Sequence, residues 1–163
     1  VPVIVDADAL TILAGGSGYR DLMASRAEKG TPTVLTPHDR EFARLAGHSP
    51  GLDRVAAARR LADQLSCTVL LKGHVTVVVA PGGPVYLNPA GQSWAATAGS
   101  GDVLSGMVGA LLASGLPAAE AAAAAAFVHS RAAGAAAADP GPGDAPVSAS
   151  RILAHIRTAL AEL

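Results

Sequence analysis

The chain has 163 residues, half of them hydrophobic and only 3% aromatic, with a formal net charge of −1. That length and apolar content suit one compact core built from Val, Leu, Ile and Ala, and exclude global disorder. The near-neutral charge leaves no basic surplus for a nucleic-acid partner, and the single cysteine, Cys67, excludes an internal disulfide framework and a multi-cysteine zinc site.

In chain order, residues 1–5 form a short β-branched run that reads as a strand buried on both faces, as in a parallel sheet. Asp6-Ala7-Asp8 follows at its carboxyl end, where open α/β sheets place ligands, and Asp8 is expected to cap a short turn over residues 9–13. Gly15-Gly16-Ser17-Gly18 reads as a flexible break before a helix at 21–29, which Gly30 and Pro32 end. Thr33-Val34-Leu35 is a second strand. Thr36 is then expected to cap a helix through Glu41-Phe42-Ala43-Arg44-Leu45, which Gly47 closes.

Residues 52–65 have helical spacing, with Val55, Ala58, Leu61, Ala62 and Leu65 inward and Arg54, Arg59, Arg60 and Asp63 left for solvent. Strands are predicted at 67–71, 75–79 and 85–87, the last two joined by the turn Pro81-Gly82-Gly83-Pro84. After a loop at 91–101 come helices from 101 or 102 to 114, from 118 to 138, and from 148 to 163, the last with Ile152, Leu153, Ile156 and Leu160 on one face. The Ala-rich stretch 118–126 is too short and too weakly apolar for a membrane span, and no signal peptide is evident, so a soluble, cytoplasmic protein is expected. Alternating strands and helices indicate an α/β fold without internal repeats.

Four motifs carry candidate chemistry. In Thr97-Ala98-Gly99-Ser100-Gly101-Asp102, two glycines bracket a serine just before an apolar helix. Glycine lets the backbone approach a ligand closely, and the helix start presents unpaired N–H groups to an anion. A carboxylate at that mouth suits a general base for phosphoryl transfer; the same residues also suit a plain helix cap. Lys72-Gly73-His74-Val75-Thr76 joins two strands and offers a lysine, backbone N–H groups and a hydroxyl to phosphates, or is an ordinary hairpin. His38, in Thr36-Pro37-His38-Asp39, stands where it can bond a ligand or simply meet solvent. Asp6 and Asp8 suit either a magnesium–phosphate complex or a cap with a loop hydrogen bond. The histidines show no metal-ligand pairing.

The order of these motifs resembles the ADP/ATP-dependent NAD(P)H-hydrate dehydratase family over essentially the whole chain. That resemblance implies a ribokinase-like three-layer α/β/α sandwich with a mostly parallel sheet. It implies repair of hydrated NADH and NADPH (NADHX and NADPHX): ADP or ATP phosphorylates the hydrate hydroxyl, and phosphate then leaves. By motif, Asp102 would be the general base and a substrate contact, with Gly99, Ser100 and Gly101 the anion hole. Lys72, Gly73, His74, Val75 and Thr76 would hold the AMP part of the donor, Gly101 would also lie near the nucleotide, and His38 would touch the hydrated dinucleotide. Magnesium is implied without identifiable ligands, and so is a homo-oligomer, a tetramer in the family.

The chain departs from the family at Gly91-Gln92-Ser93-Trp94-Ala95, where a Gly-Asn-x-Gly-Met segment is common, and at Ala98, where the first of two glycines is usual. Trp94 would pack over the adenine or fill a gap. Residues 1–163 are expected to be the C-terminal portion of a single domain whose N-terminal part lies upstream. The sheet would then have an exposed edge, and these residues alone would bind nucleotide weakly and turn over poorly. The alternatives are a ribokinase-like kinase of thiamin or pyridoxal metabolism, and an inactive nucleotide-binding fragment.

Overall fold

The structure, a computed structural model, describes residues 1–163 apart from the side chain of Ser17. Its elements are β1 (Val3–Val5), α1 (Asp8–Gly15), α2 (Ser17–Glu28), β2 (Thr33–Leu35), α3 (Asp39–Ala46), α4 (Arg54–Leu65), β3 (Thr68–Leu71), β4 (Val75–Val79), β5 (Val85–Pro89), α5 (Ser100–Ala113), α6 (Ala118–Ala138) and α7 (Ala149–Ala161).

The five strands form one sheet in the order β1-β2-β3-β4-β5. β1, β2 and β3 pair in parallel, and only β4 runs against the rest, so that β5 again points with β1. The mostly parallel α/β sandwich is therefore present. Each parallel step is a strand followed by two helices, the crossover that parallel neighbours need.

Alternate side chains along each strand serve two separate cores. Leu35, Val69, Leu71, Val77 and Val79 pack with Leu10, Phe42, Leu61 and Leu65 of the α1–α4 layer. Val34, Leu70 and Val78 face the other way, onto Leu104, Val108 and the alanines of α6. This is why the strands read as unbroken apolar runs: both faces are covered. α6 supplies mostly methyl groups, and Ala121, Ala122, Ala125, Ala132, Ala133 and Ala136 are buried against α5, α7 and the sheet. Small side chains let that helix lie close to its neighbours, so few aromatic anchors are needed.

Several local expectations are corrected. β1 is an edge strand, with Val3 exposed and Ile4 and Val5 half-buried, rather than a strand covered on both faces. Residues 8–15 make a full helix rather than a short turn, and α2 starts at Ser17 instead of after a longer break. Its first residue, Asp8, does not cap α1: the N-cap is Ala7, which has no side-chain oxygen to offer. On α7, Ile152 and Ala159 are buried while Leu153 and Leu160 face out, because only one side of that helix lies on α6. Arg54 and Arg59 are not simply solvated. Arg54 bonds Asp39 at 2.7 Å and the Lys72 carbonyl at 2.9 Å, and Arg59 bonds the Gly83 carbonyl at 3.2 Å. No helix among the described residues is long and apolar enough to cross a membrane.

Cys67 lies 4% exposed in the α1–α4 core, and burial pushes its thiol up to about 12. A thiol held protonated is a poor nucleophile. Iodoacetamide at pH 8 should therefore leave Cys67 unmodified in the folded protein and alkylate it in urea, which intact mass will show.

Candidate functional site

Parallel strands deliver their carboxyl ends to one edge of the sheet, where α/β folds bind ligands. Asp6 follows β1, His38 stands three residues beyond the end of β2, and Lys72 follows β3. Here the three strands place a connected cluster. Lys72 Nζ donates to Asp6 Oδ1 at 2.8 Å, and Ser105 Oγ of α5 donates to Asp6 Oδ2 at 2.8 Å. The Ala7 N–H adds a third bond to Asp6, at 2.9 Å. Glu41 stands 3.9 Å from the same ammonium. Burial alone would raise the Asp6 carboxyl. The Lys72 and Ser105 bonds, the lysine charge and the Ala7 N–H outweigh it and hold Asp6 below its ordinary range.

The backbone of this cluster is held as firmly as its side chains. The Lys72 N–H donates to the Pro37 carbonyl at 2.8 Å, while its carbonyl accepts from Arg54. Ala7 adopts φ +50°, a left-handed value costly for a residue with a Cβ, and the Asp6–Ala7 hydrogen bond supports it.

His38, not Thr36, is the N-cap of α3. Its Nδ1 accepts from the N–H groups of Arg40 and Glu41, and the Glu41 carboxylate accepts from the His38 N–H at 2.8 Å. This is a capping box with histidine in the usual Ser/Thr place. With Nδ1 accepting, the neutral ring carries its proton on Nε2, 3.6 Å from Glu41 Oε1. Thr36 is instead buried, bonding back to Val5 across β1 and β2.

The Gly-Ser-Gly-Asp turn opens α5. Gly99 is the N-cap at φ +83°, ψ −9°, a conformation that glycine adopts without strain. A Cβ there would also come within 3.2 Å of the Ala149 side chain. Gly99→Ala should therefore cost about 1–2 kcal/mol, read as a lowered urea midpoint with the slope unchanged. Ala98 does not share the positive φ: among the described residues only Ala7 and Ser66 do so without being glycine.

Ser100 is buried and already engaged. Its hydroxyl donates to the Ala95 carbonyl and its N–H to the Thr97 carbonyl. The Asp102 N–H donates to the Gly99 carbonyl at 3.1 Å. Gly101 differs, since its N–H has no partner among the described residues. A Cβ on Gly101 would lie 3.5 Å from Lys72 Nζ and 3.7 Å from Asp6 Oδ2. The start of α5 and the Lys72–Asp6 pair thus lie side by side.

A cavity of about 570 Å³ opens beside them. The β3–β4 turn lines one side with Lys72, Gly73, His74 and Thr76, and α5 lines the other with Ser100, Gly101 and Leu104. His38 also reaches it, as do Gln92, Ser93 and His129. Most of the predicted site residues are therefore brought together. Val75, Gly99 and Asp102 do not line this cavity; Asp102 is exposed in the first turn of α5. Trp94 fills a gap, packing on the α6–α7 cluster rather than in the cavity.

Sequence reasoning left Asp6 open between a phosphate site and a cap, and did not assign Ser105, Glu41 or His129 to the site. Asp6 had a visible signal in its place at a strand end. His129 had only its isolation as a polar ring inside an alanine helix. Among the described residues no three metal-ligating side chains gather.

A family model described as NAD(P)H-hydrate dehydratase matches residues 1–155. The bifunctional NAD(P)H-hydrate repair enzyme Nnr of Mycobacterium leprae is 72% identical over 163 residues, which is all of this chain and 33% of that protein. The ADP-dependent (S)-NAD(P)H-hydrate dehydratase of Neisseria meningitidis is 47% identical over 135 residues, 81% of this chain and 44% of that protein. Among solved structures, the Bacillus subtilis ADP/ATP-dependent NAD(P)H-hydrate dehydratase co-crystallised with ATP/Mg2+ superposes with a TM-score of 0.73 at 26% identity, over 99% of this chain and 55% of that one. A hydroxyethylthiazole kinase from Pyrococcus horikoshii superposes with a TM-score of 0.69 at 18% identity, covering 99% of this chain and 60% of that one, a likeness of fold alone. The chain spans about a third of the length of the mycobacterial relative and under half of the neisserial one.

Proposed function

The chain belongs to the NAD(P)H-hydrate dehydratase family, and we propose that it supplies the phosphoryl-transfer half of the site that dehydrates (6S)-NADHX and NADPHX with ADP or ATP. The observation that carries this reading is that the Lys72 ammonium lies beside Gly101, whose N–H has no partner among the described residues, in the wall of one cavity. Both groups favour negative charge, and an α-helix start adds its dipole.

On this reading the donor nucleotide lies between the β3–β4 turn and α5. Gly73, His74 and Thr76 bound its AMP portion, with Val75 fixing the turn through its pairing with Pro89. Its terminal phosphate meets Gly101 and Lys72, while Gly99 and Ser100 shape the hole. His38 borders the hydrated dinucleotide. Asp102, exposed beyond the cavity wall, takes the proton from the hydrate hydroxyl as that oxygen attacks the terminal phosphorus. The P–O bond to the nucleotide breaks, and its electron pair leaves with the nucleotide. Phosphate then departs with the C–O electron pair, the adjacent ring carbon gives up a proton, and the double bond closes. Phosphorylation matters because hydroxide is a poor leaving group and phosphate a far better one.

Magnesium fits this site as a companion of the phosphates rather than in a cage of its own, since Asp6 is already bonded three times and no third carboxylate joins it. When bound there it would neutralise phosphate charge. A cytoplasmic setting and assembly into a homo-oligomer, such as the tetramer expected above, belong to the same reading, as does residues 1–163 being one portion of a single dehydratase domain.

The direct assay supplies hydrated NADH with ADP or ATP to the full-length protein and follows the nicotinamide absorbance. Recovery that depends on nucleotide, with one phosphate released per NADH, is expected. Phosphorylation of a vitamin alcohol without that recovery would replace this reading with a small-molecule kinase.

A further inference from the structure

We infer that Arg54 of α4 is a positioning residue for the donor nucleotide: its guanidinium holds the peptide between Lys72 and Gly73 in the β3–β4 turn, and residue 73 is glycine to make room for it. The inference rests on the proposed dehydratase reading. It adds a residue that shapes the turn without itself lining the cavity.

Helical spacing puts Arg54 on the solvent side of α4, yet its side chain is only 22% exposed. Both terminal nitrogens are engaged. Nη1 donates to Asp39 Oδ1, in the first turn of α3, at 2.7 Å, and Nη2 donates to the Lys72 carbonyl at 2.9 Å. Nε is buried without a partner among the described residues. An arginine extended into water avoids that cost, so what holds the side chain inward is the pair of bonds at its end.

The Lys72 carbonyl has no other partner among the described residues. It shares one planar peptide with the Gly73 N–H, which has none, and in a trans peptide the two point in opposite directions. Holding the carbonyl from α4 therefore also sets the direction of the N–H. The chain is tied on either side of this peptide by other groups: the Lys72 N–H donates to the Pro37 carbonyl at 2.8 Å, and the His74 carbonyl accepts from the Ala90 N–H at 3.1 Å. The peptide itself is left to Arg54, and Lys72 and Gly73 both line the cavity.

Gly73 does not have the positive φ that makes glycine necessary elsewhere in this chain. Its missing side chain serves the arginine instead. A Cβ there would lie 2.6 Å from Arg54 Nη2 and 3.1 Å from its Cζ. A free arginine would swing aside from such a methyl at little cost. This one is pinned through both terminal nitrogens, so moving it breaks the bond to Lys72. The planar fork matters as well as the charge, because it serves a carboxylate and a carbonyl together; lysine keeps the charge without the fork.

The test measures ADP affinity by calorimetry, and KM for ADP and for hydrated NADH, in the full-length protein carrying Arg54→Met, Arg54→Lys, Gly73→Ala, or Arg54→Met with Gly73→Ala. Arg54→Met should weaken ADP binding about tenfold, the worth of one hydrogen bond. Arg54→Lys should be nearly as weak, and Gly73→Ala should match them by displacing the guanidinium. KM for ADP should rise while KM for hydrated NADH stays, a split that a general loss of stability does not produce. The double variant should also lose only about tenfold, because both changes remove the same bond. Wild-type affinity in Arg54→Lys or in Gly73→Ala, or losses that multiply to about a hundredfold in the double variant, overturn the inference. If Arg54→Met does not fold, Gly73→Ala, which removes no charge, decides alone. A wild-type protein that binds no ADP overturns the inference too. One that binds ADP but does not dehydrate hydrated NADH refutes the dehydratase reading, and the affinity series still judges Arg54.

Discussion

Asp102→Asn is expected to reduce dehydration of hydrated NADH by about 10²- to 10⁴-fold, the usual worth of a positioned general base. Affinity for ADP should stay within about threefold, since loss of a base that touches only the acceptor leaves donor binding nearly untouched. The structure makes this separation sharp. Asp102 is exposed at the first turn of α5 and does not line the cavity that Lys72, Gly73 and Thr76 form. Nor does its side chain bond any described residue, so the asparagine variant loses no internal contact and should melt where wild type does. A binding loss as large as the kinetic loss would make Asp102 part of the nucleotide pocket instead.

Lys72→Met should act in the opposite way, weakening ADP and destabilising the fold together. Removing a charged hydrogen-bond donor from phosphate costs about 1.5–3 kcal/mol, or about 10- to 150-fold in affinity. The same substitution deprives Asp6 of its 2.8 Å partner and leaves a half-buried carboxylate with only Ser105 and the Ala7 N–H. That should cost roughly 1–3 kcal/mol of stability. The acid limb will show it as well. Asp6 has its pKa lowered in the folded state, so its contribution is fully present above its ordinary value of 3.8 and is lost as pH falls through the folded value. Without Lys72 that loss should become smaller. Pairing Lys72→Met with Asp6→Asn should recover part of the stability, a coupling of about 0.5–3 kcal/mol in a double-mutant cycle, while ADP affinity stays low. Additive effects would mean that the ion pair does not hold the cluster together.

What the sequence made legible was whatever depends on neighbours along the chain. The Gly-Ser-Gly-Asp turn and the Lys72 hairpin both announce themselves by local chemistry, and the structure brings them to one cavity. The two-faced burial of the strands was readable from β2, β3 and β4, whose apolar runs serve both cores. It failed for β1, where Val3 is exposed and Ile4 and Val5 only half-buried, because a run of Val and Ile does not say what covers a strand's faces.

Choosing between Asp6 and Asp8 required knowing the backbone at Ala7, whose positive φ breaks the path between them and has no signature in an alanine. The cap at His38 was missed for a similar reason. Thr is the better intrinsic cap, but Thr36 is drawn into β1–β2 pairing and histidine inherits its place. His129 could not be read at all, since nothing along its alanine-rich helix announces that its ring lines the cavity.

The central claim is that the opening of α5 receives the terminal phosphate of the nucleotide, and a crystal structure of the full-length protein with ADP tests it most directly. The account predicts the terminal phosphate within hydrogen-bond distance of the Gly101 N–H and of Lys72 Nζ, with the AMP portion along Gly73–Thr76. A nucleotide seated elsewhere, or phosphates turned away from Gly99–Asp102, would contradict it.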